Sequence, residues 1–220
     1  MKRAIFIGLF IFLGTLLGIA TKNPTVMQMN LAITKNLQSI QPRWFIDLNI
    51  LVTLFEYSMV ILIAPLCCYL WITKRRREAF FIALAGLSWF VTRILKTTFG
   101  IPCPTPQEVH YLYPFHLLSS LLHRATNGIA VLDASVCYPS GHVYDYISLW
   151  GIIYILRDKI WKTRWWRNFV AALCIILISL IGIARISLGD HWFTDVVGGY
   201  LFGFAWLMSL AYFYSHRQKV

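Results

Sequence analysis

The chain has 220 residues, of which 58% are apolar and only 13% are charged. Soluble domains are about a quarter charged and under half apolar, so these proportions exclude an ordinary soluble domain and favour a membrane protein. The formal net charge of +11 would suit a nucleic-acid-binding protein, but the positions of the basic residues favour a membrane topology with no nucleic-acid partner.

The basic residues fall between or outside the apolar runs. They occur as Lys2-Arg3, as Lys74-Arg75-Arg76-Arg77, as a group within 157–167, and near the C-terminus at Arg217 and Lys219. These groups alternate with loops poor in lysine and arginine, which is the positive-inside pattern of a multi-pass membrane protein. The pattern predicts that both termini lie in the cytoplasm.

Six apolar runs predict an all-α fold, with six transmembrane helices in one bundle and a single domain over 1–220. The predicted spans are about 4–20, 46–73, 79–96, 142–156, 168–187 and 194–214. Gly18-Ile-Ala20 also resembles a signal-peptidase site, so cleavage is an alternative to a retained first helix. Residues 21–45 form a polar connection. Residues 97–139 form a long outer loop of a kind that is usually functional or disordered.

A polar cluster, Arg185-Ile-Ser-Leu-Gly-Asp-His-Trp-Phe-Thr-Asp195, lies between the last two predicted spans. His191 and Asp195 are four residues apart, so on a helix they share a face and the carboxylate can orient the imidazole. Arg185 is near enough in the chain to help hold an anion in front of His191. Taken alone, the cluster is equally consistent with an ion pair that caps a loop.

Two further polar groups fall on the same side of the predicted bundle. Lys96 ends the third span, and Pro139-Ser-Gly-His142 begins the fourth. Separate structural roles would not require all three groups to face one compartment. We therefore expect a single site at the periplasmic rim of the bundle.

Three segments of the chain resemble the signatures of the type 2 phosphatidic acid phosphatase (PAP2) superfamily. Lys96 with Pro104 resembles the first, which reads lysine, six residues, arginine, proline. Pro139-Ser-Gly-His142 and Arg185-x5-His191-x3-Asp195 resemble the second and third. The resemblance implies a bacterial inner-membrane lipid phosphatase or phosphotransferase with a lipid phosphate substrate and no cofactor. We call these segments, 96–104, 139–142 and 185–195, the first, second and third signature segments.

The resemblance implies three catalytic residues. His191 would attack phosphorus and form a phosphohistidine intermediate, while Asp195 fixes its tautomer. His142, in its protonated form, would donate a proton to the leaving oxygen. The alternative for His142 is a helix-start residue at a membrane surface.

The resemblance also implies four phosphate-binding residues. Lys96 and Arg185 would neutralise the phosphoryl oxygens as charge develops on them. Ser140 and the N–H of Gly141, at the start of a helix, would donate hydrogen bonds to the same oxygens. The alternative for Ser140 is a plain N-cap. This chemistry needs no metal, and the sequence shows no metal-ligand spacing.

One position departs from the family pattern, because Cys103 stands before Pro104 where the first signature has arginine. The change removes a charged contact of about 1.5–3 kcal/mol. Arg124, in the same loop, could supply a replacement cation. We also hypothesise a Cys103–Cys137 disulfide that closes the loop in an oxidising periplasm. Two unpaired cysteines are the alternative, because sequence alone does not fix connectivity.

The leading functional prediction is hydrolysis of a lipid phosphate or diphosphate, such as undecaprenyl diphosphate, phosphatidate or phosphatidylglycerophosphate. The alternative is a phosphotransferase that passes phosphate from undecaprenyl diphosphate to lipid A, since that enzyme also has an altered first signature. A third alternative is an inactive homologue that keeps the fold. The presence of both histidines, both cations and the aspartate favours an enzyme. The sequence does not indicate an oligomeric state.

Overall fold

The computed structural model describes residues 2–40, 42–105, 107–110, 112 and 136–216, without the side chains of residue 2 and residues 56–62. Arg124, the predicted replacement cation, lies outside the described residues. The described part of the chain forms eight helices. They are α1 (Lys2–Ala20), α2 (Pro24–Ser39), α3 (Arg43–Ile72), α4 (Arg76–Gly86), α5 (Ser88–Phe99), α6 (Gly141–Ile160), α7 (Arg164–Ser187) and α8 (Phe193–His216).

Four helical segments in the described residues are long and apolar enough to cross a membrane. They are Arg3–Ala20, Arg76–Phe99, Arg164–Ser187 and Phe193–His216. Large apolar side chains on them, including Phe12, Trp89 and Ile175, are exposed, as expected of a surface that faces lipid. The predicted all-α, integral-membrane class is confirmed, whereas membrane crossings by α3 and α6 stay predictions.

α6 is the central helix of the bundle. It packs against α4, α5, α7 and α8, and its buried residues face all sides. A helix enclosed by other helices can carry polar residues that a lipid-facing helix cannot. Accordingly, Ser148 donates to the Ala85 carbonyl at 2.8 Å, and Asp145 accepts a hydrogen bond from Ser88 at 2.5 Å.

The predicted third span, 79–96, is divided into α4 and α5, which meet at Leu87. Glycine and serine flank this residue, and both are weaker helix formers than alanine or leucine. The Ser88 hydroxyl bonds to Asp145 of α6. The break therefore lies where a side chain contacts the central helix.

The largest difference from the sequence prediction is α2, in a segment assigned as a polar connection. The Asn23 side chain accepts from the Thr25 N–H at 2.9 Å, and Pro24 occupies the first turn, both strong helix-start features. The buried residues of α2 are Asn30, Thr34 and Gln38. A search for apolar periodicity misses a helix whose buried face is polar.

α8 approaches the start of α6 closely. A Cβ added to Gly199 would lie 2.8 Å from the Ser140 carbonyl oxygen, so only glycine fits without a backbone shift. The Ser140 N–H also donates to the Asp195 carbonyl at 2.9 Å. This packing places the second and third signature segments side by side.

The end of the bundle opposite the signature segments is basic. Arg75, in the turn between α3 and α4, donates to the carbonyls of Lys159 and Ile160 at 2.7 and 2.9 Å. These hydrogen bonds join that basic turn to the basic turn at the end of α6. At the same end, Arg3 donates to Ser215 at 3.1 Å. We call this the basic end, and the other the site end.

Candidate active site

The polar groups predicted from sequence meet at the site end. The ring centroids of His142 and His191 are 6.1 Å apart. Lys96, in the last turn of α5, has its Cε 3.9 Å from the position that a Cβ on Gly141 would occupy. The ends of α5, α6, α7 and α8 therefore bring residues from all three signature segments together.

The short loop between α7 and α8 positions His191. The N–H groups of Asp190 and His191 both donate to the Arg185 carbonyl, at 3.1 and 3.2 Å, so the loop folds back over the end of α7. Gly189 has a φ of +83°, which glycine adopts readily. As a result, the His191 residue is only 3% exposed.

The backbone fixes Asp195 beside His191. Its Oδ2 accepts the Trp192 N–H at 2.9 Å, so the carboxylate caps the first turn of α8. The same oxygen lies 3.5 Å from His191 Nδ1. His191 Nδ1 has no hydrogen-bond partner among the described residues, and contacts of this length can shorten to catalytic hydrogen bonds when substrate binds. The contact favours the proton on Nδ1 and leaves the Nε2 lone pair for attack.

Burial and nearby cations set the charge of His191. Loss of hydration lowers its pKa well below the ordinary 6.5, and the neighbouring Arg185, Lys96 and His142 side chains lower the pKa further. His191 is therefore a neutral imidazole at neutral pH. The same cations attract an anionic phosphate group.

Several buried polar atoms at the site lack a hydrogen-bond partner in the part of the chain that the structure describes, and two of them are donors that point to an anionic ligand. Ser140 Oγ and Arg185 Nε have no hydrogen-bond partner among the described residues. Such atoms are rare in native proteins and are expected where a ligand supplies the partner. Arg185 Nη1 lies 3.0 Å from Asp190 Oδ2, an ion pair that sequence analysis did not predict. The phosphate-binding roles of Lys96, Ser140, Gly141 and Arg185 stay predictions.

The predicted Cys103–Cys137 disulfide is confirmed, with Cα atoms 4.9 Å apart. The Cys137 N–H donates to the Ile101 carbonyl at 2.8 Å, and the Trp192 indole donates to the Pro102 carbonyl at 3.1 Å. These bonds tie the first signature segment to the second and third. A cystine thus occupies the place where the family pattern has an arginine.

Cys137 also lies beside the predicted nucleophile. The ligand atoms of Cys137, His191 and Asp195 are all within 4.8 Å of one another, and all three residues are buried. Sequence spacing did not indicate this group because Cys137 is distant from His191 in the chain. In the disulfide, the Cys137 sulfur is bonded to Cys103 and offers no thiolate to a metal.

Three buried amide side chains support the third signature segment, and sequence analysis missed all of them. Asn30 donates to the Thr194 hydroxyl at 2.9 Å and accepts the Thr194 N–H at 3.1 Å. Gln38 donates to the Ser187 carbonyl at 3.2 Å, and Asn49 donates to the Ser187 hydroxyl at 2.8 Å. The four-residue spacing of polar residues along α2 was the available signal.

Known proteins share the sequence pattern. Residues 77–219 match the PAP2 superfamily. The bacitracin transport permease protein BcrC of Bacillus licheniformis is 27% identical over 151 residues, which cover 68% of this chain and 63% of that protein. Phosphatidylglycerophosphatase B of Bacillus subtilis (strain 168) is 31% identical over 74 residues, or 33% of this chain and 36% of that protein. Each match spans less than two thirds of the relative's length.

A solved structure shares the fold. The crystal structure of a transmembrane PAP2-type phosphatidylglycerolphosphate phosphatase from Bacillus subtilis superposes with a TM-score of 0.70. The superposition covers 97% of this chain and 96% of that chain, at 19% sequence identity. The likeness extends over the whole bundle and describes the fold rather than the substrate.

Proposed function

Because this chain belongs to the PAP2 superfamily, we propose that it is a membrane phosphatase that hydrolyses a lipid phosphate or diphosphate through a phosphohistidine at His191. The observation that carries the proposal is a buried histidine with a lowered pKa, 3.5 Å from Asp195 Oδ2 and beside His142. A neutral imidazole among cations suits nucleophilic attack on a phosphorus centre.

Substrate binding uses the cationic end of the site. Lys96 and Arg185 neutralise the phosphoryl oxygens, and the Ser140 hydroxyl and Gly141 N–H donate hydrogen bonds to them. The unpartnered Ser140 Oγ and Arg185 Nε among the described residues support this role. Because the site lies at the end of apolar helices, the acyl or prenyl chain can stay in the bilayer.

The reaction has two steps. First, His191 Nε2 forms a bond to phosphorus as the bond to the lipid oxygen breaks, and His142 donates a proton to that oxygen. Asp195 stabilises the positive charge that forms on the imidazole. Second, His142 removes a proton from water, which attacks phosphorus and releases inorganic phosphate and neutral His191.

We further propose that the protein lies in the bacterial inner membrane with the site facing the periplasm. The basic end carries Arg75, Lys159 and Arg3, and positively charged ends favour the cytoplasmic side. Candidate substrates are undecaprenyl diphosphate, phosphatidate and phosphatidylglycerophosphate. Similarity to phosphatidylglycerophosphatase B of Bacillus subtilis supports the last of these.

The test incubates purified protein with each candidate lipid, with and without lipid A, and measures free phosphate. The proposal expects release without an acceptor, loss of release in His191→Ala, and normal release in His216→Ala, a histidine at the basic end. Phosphate that appears only on lipid A would instead establish a phosphotransferase. No turnover of any lipid would establish an inactive homologue.

A further inference from the structure

Cys137 lies beside His191, and the proposed phosphatase mechanism gives it no role. A cysteine sulfur, an imidazole and a carboxylate converge within 4.8 Å at Cys137, His191 and Asp195. These are the ligand types that zinc prefers. Only the bond from Cys137 to Cys103 keeps the sulfur from acting as a thiolate.

We propose that reduction of the Cys103–Cys137 disulfide converts Cys137, His191 and Asp195 into a zinc site, and that bound zinc stops catalysis. The inhibition rests on the proposed function, whereas zinc binding does not. The disulfide would then protect the nucleophile from metal in addition to closing the loop.

The chemistry balances with an external dithiol as reductant. The dithiol gives two electrons to the disulfide and becomes a disulfide itself, which leaves thiols at Cys103 and Cys137. Zn²⁺ then displaces the proton of the Cys137 thiol and takes the imidazole lone pair of His191 and a carboxylate oxygen of Asp195, with water in the fourth position. A neutral imidazole has one such lone pair, so zinc-bound His191 has none left to bond to phosphorus.

Two features of the site favour this coordination. Asp195 Oδ1 is buried with no hydrogen-bond partner among the described residues, so one carboxylate oxygen can bind metal while Oδ2 keeps the Trp192 N–H. Two ligand atoms bound to a tetrahedral zinc at about 2.0–2.3 Å stand about 3.3–3.8 Å apart, so ligand atoms within 4.8 Å of one another need to approach by about 1 Å. Lys96 and Arg185 oppose the dication, and the thiolate and carboxylate offset them.

A matched pair of variants separates the zinc site from the loss of the disulfide. Cys103→Ser and Cys137→Ser both break the bond, but only Cys103→Ser leaves a thiol beside His191. Cys67, Cys68 and Cys174 are free in the protein and remain in both variants. Zinc bound per chain is measured after desalting, and phosphate release is measured against buffered free Zn²⁺.

The proposal expects one more zinc per chain in Cys103→Ser than in Cys137→Ser, with activity at least about tenfold lower in zinc and restored by a chelator. Oxidised wild type should resemble Cys137→Ser, and wild type reduced with dithiol and then desalted should resemble Cys103→Ser. Adding His191→Ala to Cys103→Ser should remove the extra zinc.

Equal zinc binding in the two serine variants, or no extra zinc in either Cys103→Ser or reduced wild type, would overturn the zinc site. The binding measurement needs no substrate. If the extra zinc binds but oxidised wild type has no activity in a chelator, the proposed phosphatase function fails and the zinc site stands. If extra zinc binds without inhibition, the inhibitory part of the proposal is wrong.

Discussion

His191 has the two properties that a phosphoryl acceptor needs, a lone pair at neutral pH and a partner for the charge that forms. Burial and the adjacent Arg185 and Lys96 lower its pKa, which keeps the imidazole neutral. In the proposed mechanism, Asp195 Oδ2, at 3.5 Å from Nδ1, would stabilise the positive charge once the phosphohistidine forms. The same residues would therefore prepare the nucleophile and stabilise the intermediate.

The lowered pKa of His191 predicts the pH at which kcat/KM falls on the acid side of its pH profile. The proposed mechanism requires unprotonated His191 in the free enzyme, so kcat/KM should fall only as the pH drops below the lowered pKa of His191, which lies under the ordinary 6.5. Arg185→Gln removes one of the cations that lower this pKa. The variant should therefore have a higher His191 pKa and an acid limb shifted upward, in addition to weaker phosphate binding.

The measurement is kcat/KM against pH for wild type and Arg185→Gln with the same substrate, so that ionisation of the substrate phosphate cancels. Arg167→Gln, at the basic end, is the control and should leave the limb in place. An acid limb that stays fixed or moves downward in Arg185→Gln would contradict the electrostatic account of His191.

At the scale of residues, the three signature segments predicted which residues meet, because they place His142, His191 and Asp195 at the ends of helices. They did not predict the Arg185–Asp190 pair at 3.0 Å, which depends on how the loop after α7 folds back. The proximity of Cys137 to His191 also required the fold. Contacts between distant segments carry no local sequence signal.

At the scale of helices, α2 supports the site without belonging to any signature. Asn30 satisfies the Thr194 N–H at 3.1 Å, a first-turn donor of α8 that the helix itself cannot satisfy. Since Thr194 precedes Asp195, this bond fixes the residue that orients His191. We infer that Asn30 is a positioning residue.

Asn30→Leu tests this role. Loss of both bonds to Thr194 should misplace Asp195 and lower kcat by about tenfold or more, with little change in KM, because the phosphate-binding residues lie elsewhere. Thr34→Val is the matched control, since Thr34 is buried on the same face and its hydroxyl bonds to the Asn30 carbonyl of its own helix at 3.0 Å. Equal losses in both variants, or a change confined to KM, would show that α2 acts only by packing.

Apolar runs predicted helices at positions close to those observed, but they did not predict α2 or the break at Leu87. α2 buries amides and hydroxyls, so its buried face has no apolar period. The break at Leu87 accompanies a bond from Ser88 to Asp145 of α6, a residue far along the chain. Both features depend on tertiary contacts.

Close packing of α1 against the rest of the bundle is a further feature at this scale. A Cβ on Gly18 would lie 2.5 Å from the Phe99 ring and 2.7 Å from the Tyr138 ring, whereas a Cβ on Gly8 meets nothing within 4 Å. Gly18→Leu should therefore lower Tm by several degrees, through overpacking of about 1–3 kcal/mol. Gly8→Leu should leave Tm nearly unchanged. Thermal unfolding in one detergent compares the two, and equal Tm values would contradict this packing.

At the scale of the whole molecule, the bundle is electrostatically polarised along its axis. Basic turns meet at one end through Arg75 and Lys159, and the proposed phosphate site lies at the other. This arrangement predicts that a membrane-impermeant maleimide added to intact spheroplasts labels Lys35→Cys, at the site end, above the level of the parent protein. Lys162→Cys, at the basic end, should react only after lysis. The opposite labelling pattern would reverse the proposed orientation.

The central claim is that phosphate passes through a covalent bond to His191. The most direct measurement mixes the protein with lipid that is labelled in the transferred phosphate. The reaction is quenched within one turnover in alkali, because phosphohistidine is stable in alkali. Peptide mass spectrometry then locates the label. We predict label on the peptide that contains His191 and none in His191→Ala. Stoichiometric label on His142, or single-turnover product formation with no labelled peptide at any time, would contradict the account.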